Sequence, residues 1–235
     1  MTSGFNGFSD ETFEFFMAIR YNNNRKFFAE NHDWYLRAVR EPALALAREL
    51  SDTIEQLDPE LERRDNRVVS RINRDLRYAR NMPLYRDYVW LAFRIPGADR
   101  GKTISAWFDI SDEEASCGIG MYMENKAMLA NMRVSLMNEP DRMPSLFRVV
   151  GDEYELHIER AKRLKIPEEL GGEAREWYNL KSFYLMKKFN DYDLMKSPVL
   201  ADEVKKHLLH LKPVYDFFKE MTPREEAEED GRMRF

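Results

Sequence analysis

Tyr88-Val-Trp-Leu-Ala-Phe-Arg-Ile95, Thr103-Ile-Ser-Ala-Trp-Phe-Asp-Ile110 and Ser116-Cys-Gly-Ile-Gly-Met-Tyr-Met123 are the stretches that decide the fold of this 235-residue chain. Each alternates with a period of two, the mark of a strand whose two faces meet different surroundings. Turn chemistry separates them: Pro96-Gly97-Ala98-Asp99-Arg100-Gly101 in one gap, Ser111-Asp112-Glu113-Glu114 in the other. Connections this short join antiparallel neighbours, so a meander is predicted. Gly118 and Gly120 fall on one side of the third run, where their missing side chains leave room for a helix or a ligand to pack closely.

Upstream the period changes to that of helices. Ser9 reads as a helix cap, with Asp10 and Glu11 in the first turn, where the helix dipole favours anions. Phe8 and Phe13 stand at the spacing of a hydrophobic staple. Phe13, Phe16, Met17 and Arg20 share one face of that helix. Asn22, Asn23 and Asn24 interrupt it, and Asn24 is placed to cap the next, whose stripe is Phe27, Phe28, Asn31, Trp34, Tyr35 and Ala38. Pro42 kinks this helix or begins another. Leu46, Leu50, Ile54 and Leu57 extend the apolar face to Asp58-Pro59. From about Asn66 the alternation of Val68, Ser70 and Ile72 with Val69, Arg71 and Asn73 predicts a half-buried strand.

Downstream, Asn125 caps a helix bearing Met128, Leu129, Met132 and Leu136, and Met143 to Val150 fits neither period cleanly. Tyr154, Leu156 and Ile158 alternate with glutamates and His157 as a half-exposed strand, and Trp177 to Phe189 is β-prone. Ser197-Pro198 opens a last helix carrying Leu200, Val204, Leu208, Leu211, Tyr215 and Phe218, with Pro213 expected to bend it. The predicted fold class is α+β: helices first, a mostly antiparallel central sheet, and helices closing it. Residues 1–221 form one domain in this reading, and 222–235 a charged tail expected to be disordered.

Hydrophobic residues make up 43% of the chain and aromatics 13%, enough for a substantial core. The net charge of −5, from 37 basic and 42 acidic side chains, disfavours general nucleic-acid binding. A single cysteine, Cys117, excludes an internal disulfide. No secretory signal is read at the N-terminus and no apolar run reaches membrane-spanning length, so the expectation is a cytoplasmic protein.

The densest charge of one sign lies in Arg71-Ile-Asn-Arg-Asp-Leu-Arg-Tyr-Ala-Arg-Asn-Met-Pro-Leu-Tyr85, with an arginine at 71, 74, 77 and 80 and one carboxylate, Asp75. This stretch resembles the signature of an uncharacterised, mainly bacterial family catalogued as domain of unknown function 2461. That signature runs Arg, two residues, Arg-Asp, one residue, Arg-Phe, then Asp or Asn followed by Lys, and finally Tyr. Gly7-Phe8-Ser9 and Asn23-Asn24-Arg25-Lys26-Phe27-Phe28 are similar to the family's opening, and the likeness runs from about Phe8 to Met221. Tyr78 stands where the family has phenylalanine, and Met82 where it has lysine, which would weaken any role that lysine has in proton transfer or phosphate binding. The resemblance implies where to look and implies no reaction.

Guanidinium forks match carboxylates and phosphates bidentately, so Arg71, Arg74 and Arg77 are candidate ligands for a small anion. In this reading Asp75 orients one arginine, Asn81 lies close by and Tyr85 offers a hydroxyl. The competing reading is a structural network in which Asp75, Asp87 and Asp109 pair with the arginines; the protein would then be an interaction module whose partner is another protein or a second copy of the chain. Binding of single-stranded nucleic acid to sheet aromatics such as Trp90, Trp107, Tyr122 and Trp177 is a third reading. Cys117 reads as a small core residue, His207 and His210 as a solvent-facing pair, and His157 as a solvated residue on a polar strand face. Asp109 and Asp112 flank a loop, as acids commonly do. No metal-ligand spacing, phosphate loop, dinucleotide fingerprint or nucleophile elbow is present, so no cofactor is expected and enzyme status is left open.

Overall fold

The computed structural model describes residues 4–75, 77, 81–99 and 101–223. Five strands form one antiparallel sheet: β1 (Tyr88–Phe93), β2 (Ser105–Ser111), β3 (Ala115–Met121), β4 (Glu155–Arg160) and β5 (Leu180–Phe189), in the order β1-β2-β3-β5-β4. The predicted meander is therefore the first half of the sheet, and the α+β class holds. Cross-strand partners such as Leu91 and Phe108, or Phe108 and Cys117, put Leu91, Phe93, Phe108, Cys117, Ile119, Phe183 and Leu185 on one buried face. Trp90, Trp107, Asp109, Gly118, Gly120 and Tyr184 alternate to the other.

The N-terminal helices are α1 (Asp10–Tyr21), α2 (Arg25–Glu30), α3 (His32–Tyr35), α4 (Glu41–Glu49), α5 (Ser51–Leu57) and the short α6 (Asp65–Val68). Ser9 and Thr12 close a reciprocal capping box on α1, and the Asn24 side chain accepts the Phe27 N–H at 3.0 Å, as the cap signals predicted. Leu36–Arg40, between α3 and α4, is wound as a π-helix just before Pro42. Proline lacks an N–H, so the Ala38 carbonyl four residues earlier loses its helical partner. The buried Thr12 hydroxyl donates to that carbonyl at 2.6 Å, which satisfies it and ties α1 to this long helical run.

After β3 come α7 (Lys126–Asn138), α8 (Arg142–Val150), α9 (Gly172–Trp177), α10 (Tyr192–Met195), α11 (Val199–His210) and α12 (Lys212–Met221). Met143 to Val150 is thus helical. Pro213 sits in the first turn of α12 and divides the last helix in two rather than bending it. The helices cover the buried sheet face: Phe8 stacks on Phe108, and Phe147 of α8 and Phe218 of α12 both meet Phe183.

Two further expectations are corrected. The strand predicted from Asn66 is the helical turn α6 followed by isolated bridges, Val69 with Leu91 and Asn73 with Tyr85. Four residues separate Val69 from Asn73 but six separate Tyr85 from Leu91, so the register slips and no regular ladder forms. The room beside Gly118 and Gly120 is taken by the sheet's own backbone and rings rather than by a helix. A Cβ on Gly118 would overlap the Leu185 carbonyl of β5 and stand 2.8 Å from the Trp107 ring, and one on Gly120 would stand 2.7 Å from Tyr184.

Cys117 is fully buried, as predicted. The histidine pair is not solvent-facing. His207 is 2% exposed and its Nδ1 is hydrogen-bonded to the Tyr154 hydroxyl at 2.6 Å, while His210 stacks on the Tyr154 ring. Among the described residues no helix is long and apolar enough to cross a membrane. The predicted tail lies, beyond Pro223, outside the described residues.

Candidate functional site

Residues 72–74 run antiparallel to 84–86 alongside the start of β1. The Arg74 N–H donates to the Leu84 carbonyl at 2.9 Å and the Arg86 N–H to the Ile72 carbonyl at 2.8 Å. Asn23, in the connection between α1 and α2, grips this ribbon from the helical side. Its Nδ2 donates to the Tyr85 carbonyl at 3.0 Å, and its Oδ1 accepts the Tyr85 N–H at 2.9 Å. Tyr85 itself is buried, its ring stacked on Phe28 at 4.4 Å, so it anchors the ribbon in the core. Asn23→Ala is expected to cost about 1–2 kcal/mol, because both backbone groups of Tyr85 lose their partner at once. Chemical denaturation measures the loss, and faster hydrogen exchange at the Tyr85 amide localises it.

The register slip re-aims the residues between the two bridges, and Asp87 is the consequence that matters. Its carboxylate accepts from Arg20 Nε of α1 at 2.7 Å and lies 3.6 Å from Arg74 Nη2. Arg20 reaches further, to Asp112 and, at 3.5 Å, Glu113 in the β2–β3 turn. The hydrogen bond that Arg20 donates to Asp87 holds its guanidinium above the ordinary range; burial opposes this, and the Asp112 and Asp87 charges add to it. Arg74 is the most enclosed of the predicted arginines, with 13% of its side chain exposed. Its guanidinium lies 5.5 Å from the Tyr88 ring centroid, and its Nε is buried with no hydrogen-bond acceptor.

The other predicted residues are spread more widely. Arg71 is exposed and meets no carboxylate among the described residues. Its carbonyl, with that of Asn73, accepts from Arg86 Nη1. Arg77 pairs with Asp75 at 2.6 Å on the surface, and its hydrogen bonds hold the Asp75 carboxyl down to about 2. Asn81 and Met82 are exposed. Tyr78 and Arg80 lie outside the described residues. Among the described residues Asp109 pairs with none of the candidate arginines; it accepts from Ser116 on the sheet face turned away from the core. The clefts at Pro59–Arg64 and between Phe147, Tyr154 and Trp177 take in none of these residues.

Sequence reasoning missed Arg20, Asn23 and the pivotal position of Asp87. Arg20 left a signal, a charged residue on an otherwise apolar helix face. Asn23 was legible only as a helix breaker, because its partner is backbone 62 residues away.

Residues 11–217 match the model of a family described as conserved hypothetical protein (DUF2461). No curated protein matches the chain.

Proposed function

The chain belongs to this family of conserved hypothetical proteins, whose description states no reaction, and from the geometry we propose that it binds a small anion, phosphate or carboxylate, at the arginine-lined edge beside β1. The observation that carries the reading is the Arg74 Nε, a buried guanidinium donor with no acceptor. A buried donor left unmet costs on the order of 1–3 kcal/mol, and an arriving anion removes that cost. The local charge favours the same reading. Asp87 is shared between Arg20 and Arg74, while Arg71 and Arg86 meet no carboxylate among the described residues. In this proposal Arg74 holds the anion and the exposed Arg71 closes on it. Asp75 orients Arg77 at the rim, with Asn81 nearby, and Tyr85 fixes the ribbon from the core.

Thermal stability against phosphate, sugar phosphates and carboxylates tests it, with an Arg71→Gln, Arg74→Gln double variant beside the parent. A ligand that binds only the folded protein raises the melting temperature with concentration. One anion class is expected to stabilise the parent and not the folded variant. Equal shifts in both, or none in either, would sink the proposal and leave the arginines as ties between α1 and the sheet.

A further inference from the structure

The two edges of the sheet are finished differently. The outer edge of β1 is met by the residues before the ribbon: Val69 bridges Leu91, and the Ser70 N–H donates to the Trp90 carbonyl at 2.8 Å. At the opposite edge, β4 pairs with β5 alone among the described residues. Alternate residues of an antiparallel strand turn their N–H and C=O groups outward, so Glu155–Arg160 presents backbone donors and acceptors to which another strand can add. The two edges lie four strand spacings apart, about 19 Å, so this one is separate from the arginine site.

The two faces of β4 are unlike. Glu155, His157 and Glu159 turn away from the helices. There His157 stacks on Tyr184, which joins Trp107 and Tyr122 in a ring cluster, and the glutamates reach Lys188 and Lys181 of β5. Leu156 and Ile158 stand opposite Leu185 and Phe183 and so turn to the helical face. Leu156 is nevertheless 39% exposed. It lines a cleft of about 530 Å³ together with Leu185, Phe147 of α8 and Trp177 of α9, the last two rings 4.1 Å apart. Three exposed carboxylates, Asp152, Glu173 and Glu176, line the same cleft against one guanidinium, Arg148, which Glu173 takes at 2.8 Å. Asp152 and Glu176 meet no counter-charge among the described residues.

A strand added to β4 lies about 4.8 Å beyond it, with every second side chain turned to the helical face. Those side chains meet an apolar cleft with unbalanced carboxylates. The complement is a long apolar stem with a cationic head, which is arginine or lysine, and aromatic faces such as that of Trp177 favour the cation further. A second copy of β4 fits less well. Its one arginine, Arg160, is already held by the Glu176 carbonyl and the Asn179 side chain, and pairing two such edges sets their carboxylates side by side.

We propose that the β4 edge receives an extended segment of a partner protein with arginine or lysine at alternate positions. The segment adds to the sheet through its backbone. Its cationic side chains lie in the cleft, stems against Phe147 and Trp177, heads at Asp152 and Glu176.

Isothermal titration and amide hydrogen exchange on the full chain test this with the peptide Ser-Arg-Thr-Leu-Thr-Arg-Ser. Beside it stand the same peptide with glutamate for arginine, a backbone N-methylated form, and arginine amide. The unmodified peptide is expected to bind and, at ten times its Kd, to slow exchange within Glu155–Arg160 about tenfold. An Asp152→Asn, Glu176→Gln double variant should weaken it about fivefold or more, the loss of two solvent-exposed ion pairs. Both side chains are exposed, so the fold is kept. Leu156→Lys, which sets a like charge in the cleft, should weaken it as well. No binding, equal binding of the glutamate or N-methylated peptide, or binding that leaves β4 exchange unchanged overturns the proposal. Unchanged affinity in the double variant overturns the cationic assignment. Arginine amide binding as tightly as the peptide overturns strand addition in favour of a small cation. Sedimentation that shows a dimer, dispersed by Leu156→Lys and protected at β4, overturns the partner reading in favour of a second copy.

Discussion

Replacing Asp58 with alanine is expected to destabilise the protein by about 3–5 kcal/mol, the usual effect of removing one partner from a buried hydrogen-bonded ion pair. Asp58 has no exposed side-chain surface. Its carboxylate accepts from Lys219 Nζ at 2.6 Å, from the Tyr215 hydroxyl at 2.8 Å and from the Glu60 N–H at 2.9 Å. It therefore pins α12 to the residues that follow α5. Alanine leaves the fully buried Tyr215 hydroxyl without an acceptor and Lys219 without its closest counter-charge. Burial pushes the Asp58 carboxyl up, but the bonds from Lys219, Glu60 and Tyr215 outweigh it and hold the group below its ordinary 3.8. A carboxyl depressed in the folded state contributes stability that is present above the unfolded value. It is lost as pH falls through the folded value. The parent should thus lose stability on acidification below about 4, while Asp58→Asn lacks that component and the gap between the two narrows. Urea denaturation at neutral pH and in steps below pH 4 checks both parts. A midpoint for Asp58→Ala within about 1 kcal/mol of the parent would show that the pair contributes nothing net.

Gly118→Val is expected to cost about 3 kcal/mol or more, at the top of the overpacking range. The β-carbon alone already overlaps the Leu185 carbonyl and crowds the Trp107 ring. β5 cannot retreat without breaking the Gly118–Met186 pairing, and Trp107 cannot rise without disturbing the ring cluster it supports. Gly97→Ala serves as the control. Gly97 has a φ of +81° and open space around it, so only the left-handed backbone penalty of about 1–2 kcal/mol applies. Thermal unfolding with near-ultraviolet circular dichroism distinguishes them: Gly118→Val should also change the Trp107 environment, Gly97→Ala should not. Equal small losses in both would mean that β3 and β5 are less closely apposed than described.

Much of the chain was legible because local chemistry and periodicity act over a few residues. Ser9, Asn24 and Asn125 cap helices as their types demand, and Asp58-Pro59 ends one. The strands read from period two form at β1, β2 and β3, although β3 is buried on both faces, because Trp107 and Tyr184 cover its glycines. Met143 to Val150 resisted assignment because eight residues with a proline satisfy either period poorly. The segment after Asn66 misled for a related reason: its alternation is real over Arg71 and Ile72, one exposed and the other buried, but a slipped register denies it a ladder.

By itself the amino-acid order determined the α+β class, the antiparallel meander, the helix caps and the region where basic charge concentrates, because each depends on neighbours along the chain. Only the tertiary structure decided which cation stands beside which anion. Asp87 holds Arg20 and Arg74 together across 67 residues of sequence in one case and 13 in the other, whereas the nearer Asp75 pairs with Arg77. It alone also decided that the glycines of β3 admit a tryptophan ring and a neighbouring strand, and that His207 lies in the core against Tyr154. Propensity and period are properties of a segment; pairing between side chains depends on how distant segments are brought together, and no local pattern records it.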